Sequence, residues 1–308
     1  MVSDLYDEFM QELRNRKLNN RKSFFHYTSG EGLNGILKNK KIWFSHTKFL
    51  NDEQERRYTY KILIDEINKM PKSDFNESLI KYYDENSDAK NNVNTNYFEH
   101  EYYLACFSNN KDSLSLWNYY TKNENSVGFN IEFDKDALIS ALNLSPMDVH
   151  GQVIYEEKEQ RKLIRNILIK YNEEFKKIDK NNISAIANIC VDISLLISFY
   201  SLFFKHPAFK HEEEYRIAIG KNKIYNNHKC LFRAYKNLFI PYFEREFPSS
   251  SIKSITISPT QKQQITKESL DLMLNEMNYN GVKIINSDIP LSFIIHRCRQ
   301  GSKPSCRL

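Results

Sequence analysis

Glycine is scarce in this chain, eight in 308 residues, and none of it forms the clustered loop that wraps phosphates ahead of a helix. A dinucleotide-fold fingerprint is therefore excluded. Cysteine is scarce as well: Cys106, Cys190, Cys230, Cys298 and Cys306 stand far apart with no CxxC pair. That spacing argues against a zinc site or a disulfide framework and for reduced thiols. No excess of one charge marks a nucleic-acid footprint, because 44 basic and 39 acidic residues are spread along the chain for a net charge of +5. No basic, apolar and small-residue segment opens the chain, where Met1–Asn20 is charged and helix-like. No secretory signal is expected, and the location expected is cytoplasmic. Long apolar runs are nearly absent. The exception, Ile183–Phe204, is long enough to cross a bilayer, but Asn188, Asp192 and four serines interrupt it, so a buried or groove-lining helix is expected and no membrane partner.

What is present is a core. Apolar residues make up 41% of the chain and aromatics 13%, enough for a folded unit of this length. Leu5, Phe9, Met10 and Leu13 predict an N-terminal helix, within residues 1–22, packed on one domain spanning 23–296. Phe24–Thr28 reads as a strand, Ser29–Lys40 as a turn and helix, and Ile42–Ser45 as the next strand. Asn51–Asp52 opens a helix that stops before Pro71, and Ser73–Tyr97 reads as a helix and then a loop. Tyr102–Ser108 and Ser126–Phe133 are strands with a short helix, Leu114–Tyr120, between them. Val153–Tyr155, Glu213–Ile219, Ile252–Ser258 and Val282–Ile285 complete the strands, and Lys267–Met277 is an amphipathic helix. Strands without regular βαβ alternation predict an α+β fold: a mixed, mostly antiparallel sheet core with helical insertions at about 53–100 and 156–206. Residues 297–308 read as a basic, loose tail.

Two islands carry chemistry. Phe24-Phe25-His26-Tyr27-Thr28-Ser29 and His211-Glu212-Glu213-Glu214-Tyr215-Arg216-Ile217 each set polar side chains beside strand-forming ones. In an extended segment Glu212, Glu214 and Arg216 share a face, where the guanidinium neutralises one carboxylate and leaves the other to work. The plainer alternative is an exposed edge strand with an ion-pair ladder. For His26 the alternative is a core-edge histidine, for Asn51-Asp52 with Glu55 a helix cap, for Ser108 a strand end and for Trp117 core filling.

The order FHYTSGEGLNGILKNKKIWFSHTKFLNDEQE, LACFSNNKDSLSLWNYYTKNENSVGFNIEF, FKHEEEYRIAI, SITISPTQ and VKIINSDIPL resembles the bacterial family known as domain of unknown function 2971, over roughly residues 24–292. The strand ending in His-Tyr-Thr, the following LxxIL-type helix and the IWFS strand are also similar to the opening of ADP-ribosyltransferase-like proteins, including DNA-modifying toxins and RNA 2′-phosphotransferases. That second resemblance implies an ADP-ribosyltransferase-like sheet and NAD as substrate. It implies His26 and Thr28 in the first ribose-binding motif, Ser108 in the middle motif, and a late Glu-x-Glu matched by Glu212 and Glu214. Tyr27, Trp43, Phe44, Trp117 and Tyr120 compete as the aromatic that stacks near nicotinamide.

The expectation that follows is an ADP-ribosyltransferase-like or NAD-glycohydrolase-like enzyme, by analogy a toxin or phage-defence effector. Glu214 stabilises an oxocarbenium ion, Glu212 activates a nucleic-acid or protein acceptor, His26 positions ribose and Arg216 meets the pyrophosphate. No metal is expected. Two other classes stand beside it: a metal-dependent nuclease or phosphodiesterase gathering a cation with Asp52, Glu55, Glu212 and Glu214, and a non-catalytic module that recognises protein or nucleic acid.

Overall fold

The computed structural model describes residues 4–5, 7–9, 11, 22–50, 52–85, 102–120, 127–145, 148–220, 229–235, 237–260 and 262–290. The loop expected before Tyr97, Asn51, Ser126, Cys298, Cys306 and the tail 297–308 lie outside these residues, as do the side chains of Asp52 and Tyr120. Of the N-terminal helix, Phe9 is buried and stacks on Tyr171, ring centroids 6.4 Å apart.

Strand β1 (Ser23–Ser29) runs into helix α1 (Gly30–Asn39) through a cap in which the Gly32 N–H donates to Ser29 Oγ at 3.2 Å. Lys40, left-handed at φ 52°, ends α1 and turns the chain into β2 (Lys41–His46). Helices α2 (Asp52–Lys69) and α3 (Asp74–Glu85) precede β3 (Tyr102–Ser108), and α4 (Leu114–Tyr120) leads to β4 (Gly128–Asp134). Then come α5 (Lys135–Ala141), β5 (Val149–Gln152), the long helices α6 (Glu157–Phe175) and α7 (Ile183–Ser201), and a 3₁₀ turn, Pro207–Glu212. The chain closes with β6 (Glu214–Gly220), β7 (Leu231–Tyr235), β8 (Leu238–Glu246), β9 (Ile252–Ile257), α8 (Gln263–Glu276) and β10 (Lys283–Asn286).

The fold is α+β. All described strands join one mixed sheet in which β9–β10 is parallel and the other pairs are antiparallel. Its centre is β3, whose whole length pairs with β6. A strand has two hydrogen-bonding edges, so β1 and β2 share the other one. They pair with β3 at opposite ends, β1 at Phe25–Ser108 and β2 at Ser45–Leu104 and His46–Tyr103, and diverge between.

The period of two sorts the side chains into two cores. Tyr102, Leu104 and Ala218 face the layer of α2, α3, α6 and α7, with Leu63, Ile164 and Ile193. Tyr103, Ala105, Phe107 and Ile217 face α1, α5 and α8, with Leu33, Leu138 and Leu270. Among the described residues α7 is the one helix long and apolar enough to cross a membrane. Its second half, from Ile189 through Ile193, Leu196 and Tyr200, is buried in the helical layer.

Several elements differ from the sequence reading. The strand expected at Val153–Tyr155 is displaced to Val149–Gln152, and Ile154 makes only an isolated bridge to Phe204. The hairpin β7–β8 and helix α5 had no strong periodicity and escaped the reading. The strand expected from Glu213 begins at Glu214, because Glu213 is left-handed at φ 43° and cannot continue a strand.

Candidate functional site

The split in the sheet creates a gap, and His26 fills it. Where β1 and β2 part, His26 Nδ1 lies 3.2 Å from the Cys106 carbonyl oxygen. A carbonyl only accepts, so in the neutral ring Nδ1 carries the hydrogen and Nε2 keeps a lone pair. Burial lowers the His26 pKa and outweighs this bond, favouring that neutral form.

At the same end of the sheet a cavity of about 840 Å³ opens beside His26. Its floor is the end of β3 and β6, where Cys106 and Ser108 lie opposite Arg216 and Glu214. One wall is the first turns of α2, with Glu55 and Tyr58, and another is the segment from Lys205 to Glu212 that follows α7. Thus His26 and the acidic row, nearly two hundred residues apart, line one hollow.

Charge is dense here. Arg216, 1% exposed, donates to both oxygens of Glu55 at 2.7 and 3.1 Å, to Glu214 Oε2 at 3.0 Å and to the Leu202 carbonyl at 2.9 Å. Lys205 Nζ lies 2.5 Å from Glu212 Oε2, 3.0 Å from Glu214 Oε2 and 3.5 Å from Glu55 Oε1. Burial alone would raise the Glu214 pKa, but the Arg216 and Lys205 charges, with hydrogen bonds from Arg216 and Cys106, bring it down to about 2. Burial and Arg216 push the Lys205 ammonium down, and Glu214, Glu55 and Glu212 outweigh them to hold it above the usual lysine range. The result is an ionised carboxylate under a cavity at neutral pH.

This geometry revises the sequence picture. Strand β6 is interior, paired with β3 and β5, and not an exposed edge. Glu212 does not reach the cluster by strand alternation, since it sits on the 3₁₀ turn; Lys205 draws it in. Arg216 is committed to Glu55, Glu214 and Leu202 and is no pyrophosphate ligand as it stands. Thr28 is buried away from the cavity, its Oγ1 against Gly32 where a Cβ would collide. Ser108 lines the cavity but acts as a brace: its Oγ donates to the Glu212 carbonyl at 2.7 Å and accepts the Asn110 N–H at 3.0 Å.

Tyr27 has its ring on the cavity and its hydroxyl in the frame, donating to the Asn110 carbonyl and accepting the Ser113 N–H, both at 2.9 Å. Trp117, fully buried, packs edge-on to Tyr27 and donates to Asp112 at 2.6 Å. Neither Trp43 nor Phe44 lines the cavity. The aromatic faces available at its mouth are instead Phe209, 41% exposed, and Tyr119, 50% exposed.

Lys205, Gln160 and Tyr58 were missed in the sequence. Gln160 is fully buried on α6; its amide donates to the Ile154 carbonyl at 2.6 Å and to that of Lys205 at 3.0 Å, while its oxygen accepts the Tyr58 hydroxyl at 2.8 Å. The one available signal was Lys205-His206-Pro207, a break from apolar helix to charge. Of the metal-binding set, Glu55, Glu212 and Glu214 do converge, and Lys205 and Arg216 sit among them as cations of the chain's own.

Neither a curated protein nor a solved structure matches the chain. Over residues 116–217 the chain matches the family described as Protein of unknown function (DUF2971), the family its motif order resembles, and the matched span carries Lys205, Glu212, Glu214 and Arg216.

Proposed function

We propose that this protein cleaves the glycosidic bond between nicotinamide and ribose in NAD, passing the ADP-ribosyl group to water or to a nucleic-acid or protein acceptor in the cytoplasm. The observation that carries the reading is the convergence of His26, Glu212 and the ionised Glu214 on one cavity. As the C1′–N bond breaks, its electron pair goes to the pyridinium nitrogen, nicotinamide leaves neutral, and positive charge develops on the ribosyl carbon. A fixed carboxylate in a partly dehydrated site stabilises that charge with no reorganisation. Glu212, held through one oxygen by Lys205, takes the proton of the incoming nucleophile. His26, with Nε2 as acceptor, suits a ribose hydroxyl. Loss of NAD or modification of an acceptor is the damage by which such an enzyme acts as a toxin or phage-defence effector.

The test is release of nicotinamide from labelled NAD by the purified chain. Glu214→Gln and Glu212→Gln are each expected to lower it at least about 100-fold. No release and no label transfer, or release untouched by both variants, refutes the proposal. Nucleic-acid cleavage abolished by a chelator and indifferent to NAD would favour the metal-dependent nuclease instead.

A further inference from the structure

We infer that the interior of this cavity selects a nucleoside bearing a positively charged base, and that it reads the cation and not a phosphate. The inference rests on the glycosidic reading above and narrows its substrate class. Its basis is the balance of charge. Glu55, Glu212 and Glu214 face Lys205 and Arg216, which leaves a formal surplus of one negative charge in the cluster. A net negative cluster in a partly dehydrated cavity attracts positive charge, so a cation entering beside it balances the count.

Phosphate recognition needs the opposite, namely donors that remain open when the ligand arrives. Among the described residues lining the cavity, Lys205 and Arg216 are the lysine and arginine, and each is bonded to at least two of the three carboxylates. The absence of a glycine-rich loop points the same way. Two exposed aromatic residues, Phe209 and Tyr119, also line the cavity, and aromatic rings attract cations, as Lys205 Nζ over the Phe209 ring at 5.2 Å illustrates. A dinucleotide would place its pyridinium riboside inside and leave its phosphates in solvent. On cleavage the positive charge passes from the base to the ribosyl carbon next to the same carboxylates, and the water that adds there gives up its proton to Glu212.

The experiment compares nicotinamide riboside, its 5′-phosphate and NAD with the full chain, following nicotinamide release. The three are expected to show kcat/KM within about tenfold of one another. A preference of more than about 100-fold for either phosphorylated substrate overturns the inference, because it requires phosphate contacts. If none of the three is cleaved, the glycosidic reading itself fails, and binding decides the ligand class. Calorimetry then compares nicotinamide riboside with its uncharged dihydro form: at least about tenfold tighter binding of the cation, lost in Glu212→Gln, supports the inference. Equal binding or none overturns it. Glu212 is partly exposed, and a melting curve for Glu212→Gln separates lost selectivity from lost folding.

Discussion

Arg216→Met is the perturbation that most directly probes what holds the charged cluster together. Methionine keeps much of the volume and removes all four bonds to Glu55, Glu214 and the Leu202 carbonyl. Glu214 then retains Lys205 and the Cys106 thiol, and Glu55 retains Lys205 at 3.5 Å. Removing one partner of a buried ion pair costs about 3–5 kcal/mol. Protonation gives a similar size: a carboxyl held at about 2 against an ordinary 4.5 corresponds to about 3 kcal/mol at neutral pH. The folded value is the lower one, so this stabilisation is present above pH 4.5 and is lost as pH falls toward 2. In Arg216→Met, burial is left to raise the Glu214 carboxyl, and the difference between the two proteins narrows through that window. Urea denaturation at pH 7 and at about pH 3 measures both. A loss below about 1 kcal/mol at pH 7, or a difference that widens in acid, refutes the electrostatic account of the site.

Three further substitutions have definite expectations. Tyr27→Phe leaves the Ser113 N–H and the Asn110 carbonyl without the hydroxyl that joins them, at a cost of about 1–3 kcal/mol in chemical denaturation. Ser108→Ala frees the Glu212 carbonyl and the Asn110 N–H; it is expected to lower stability by about 1–2 kcal/mol and, on the proposed glycosidic reading, to slow nicotinamide release through kcat more than KM, since Glu212 loses its brace. Burial raises the Asp192 pKa to about 6. Here the folded value is the higher one, so the charged form destabilises above it and stability improves as pH falls from 6 toward the ordinary 3.8. Asp192→Asn is therefore expected to raise stability at pH 7 by about 1 kcal/mol, a figure reduced for solvent screening of a partly exposed group, and the gain should vanish near pH 4. A gain independent of pH would show that the charge is not the cause.

Some of the architecture was legible because local patterns and packing agree. Strands β1 to β4 are dense in apolar residues with turn-formers at their ends, and both cores use the alternation those strands carry. Helix α7 declares itself by length and hydropathy, and its second half packs into the helical layer. The short elements were not legible: β7 is five residues held by pairing with β8, and β5 is four residues held by pairing with β6.

Residue chemistry fixed which groups were candidates for work: a histidine at the end of an aromatic strand, and carboxylates spaced around an arginine. Neither their meeting nor their roles could be read from order along the chain. The meeting depends on β1 and β2 dividing one edge of β3, and the roles depend on Lys205, from the segment after α7, and Glu55, from the first turns of α2. Electrostatic energy depends on distance and burial, which only the folded chain sets. That is why Arg216 became an internal counter-ion, Thr28 a packing residue and Ser108 a brace, while Glu212 and Glu214 stayed beneath the cavity.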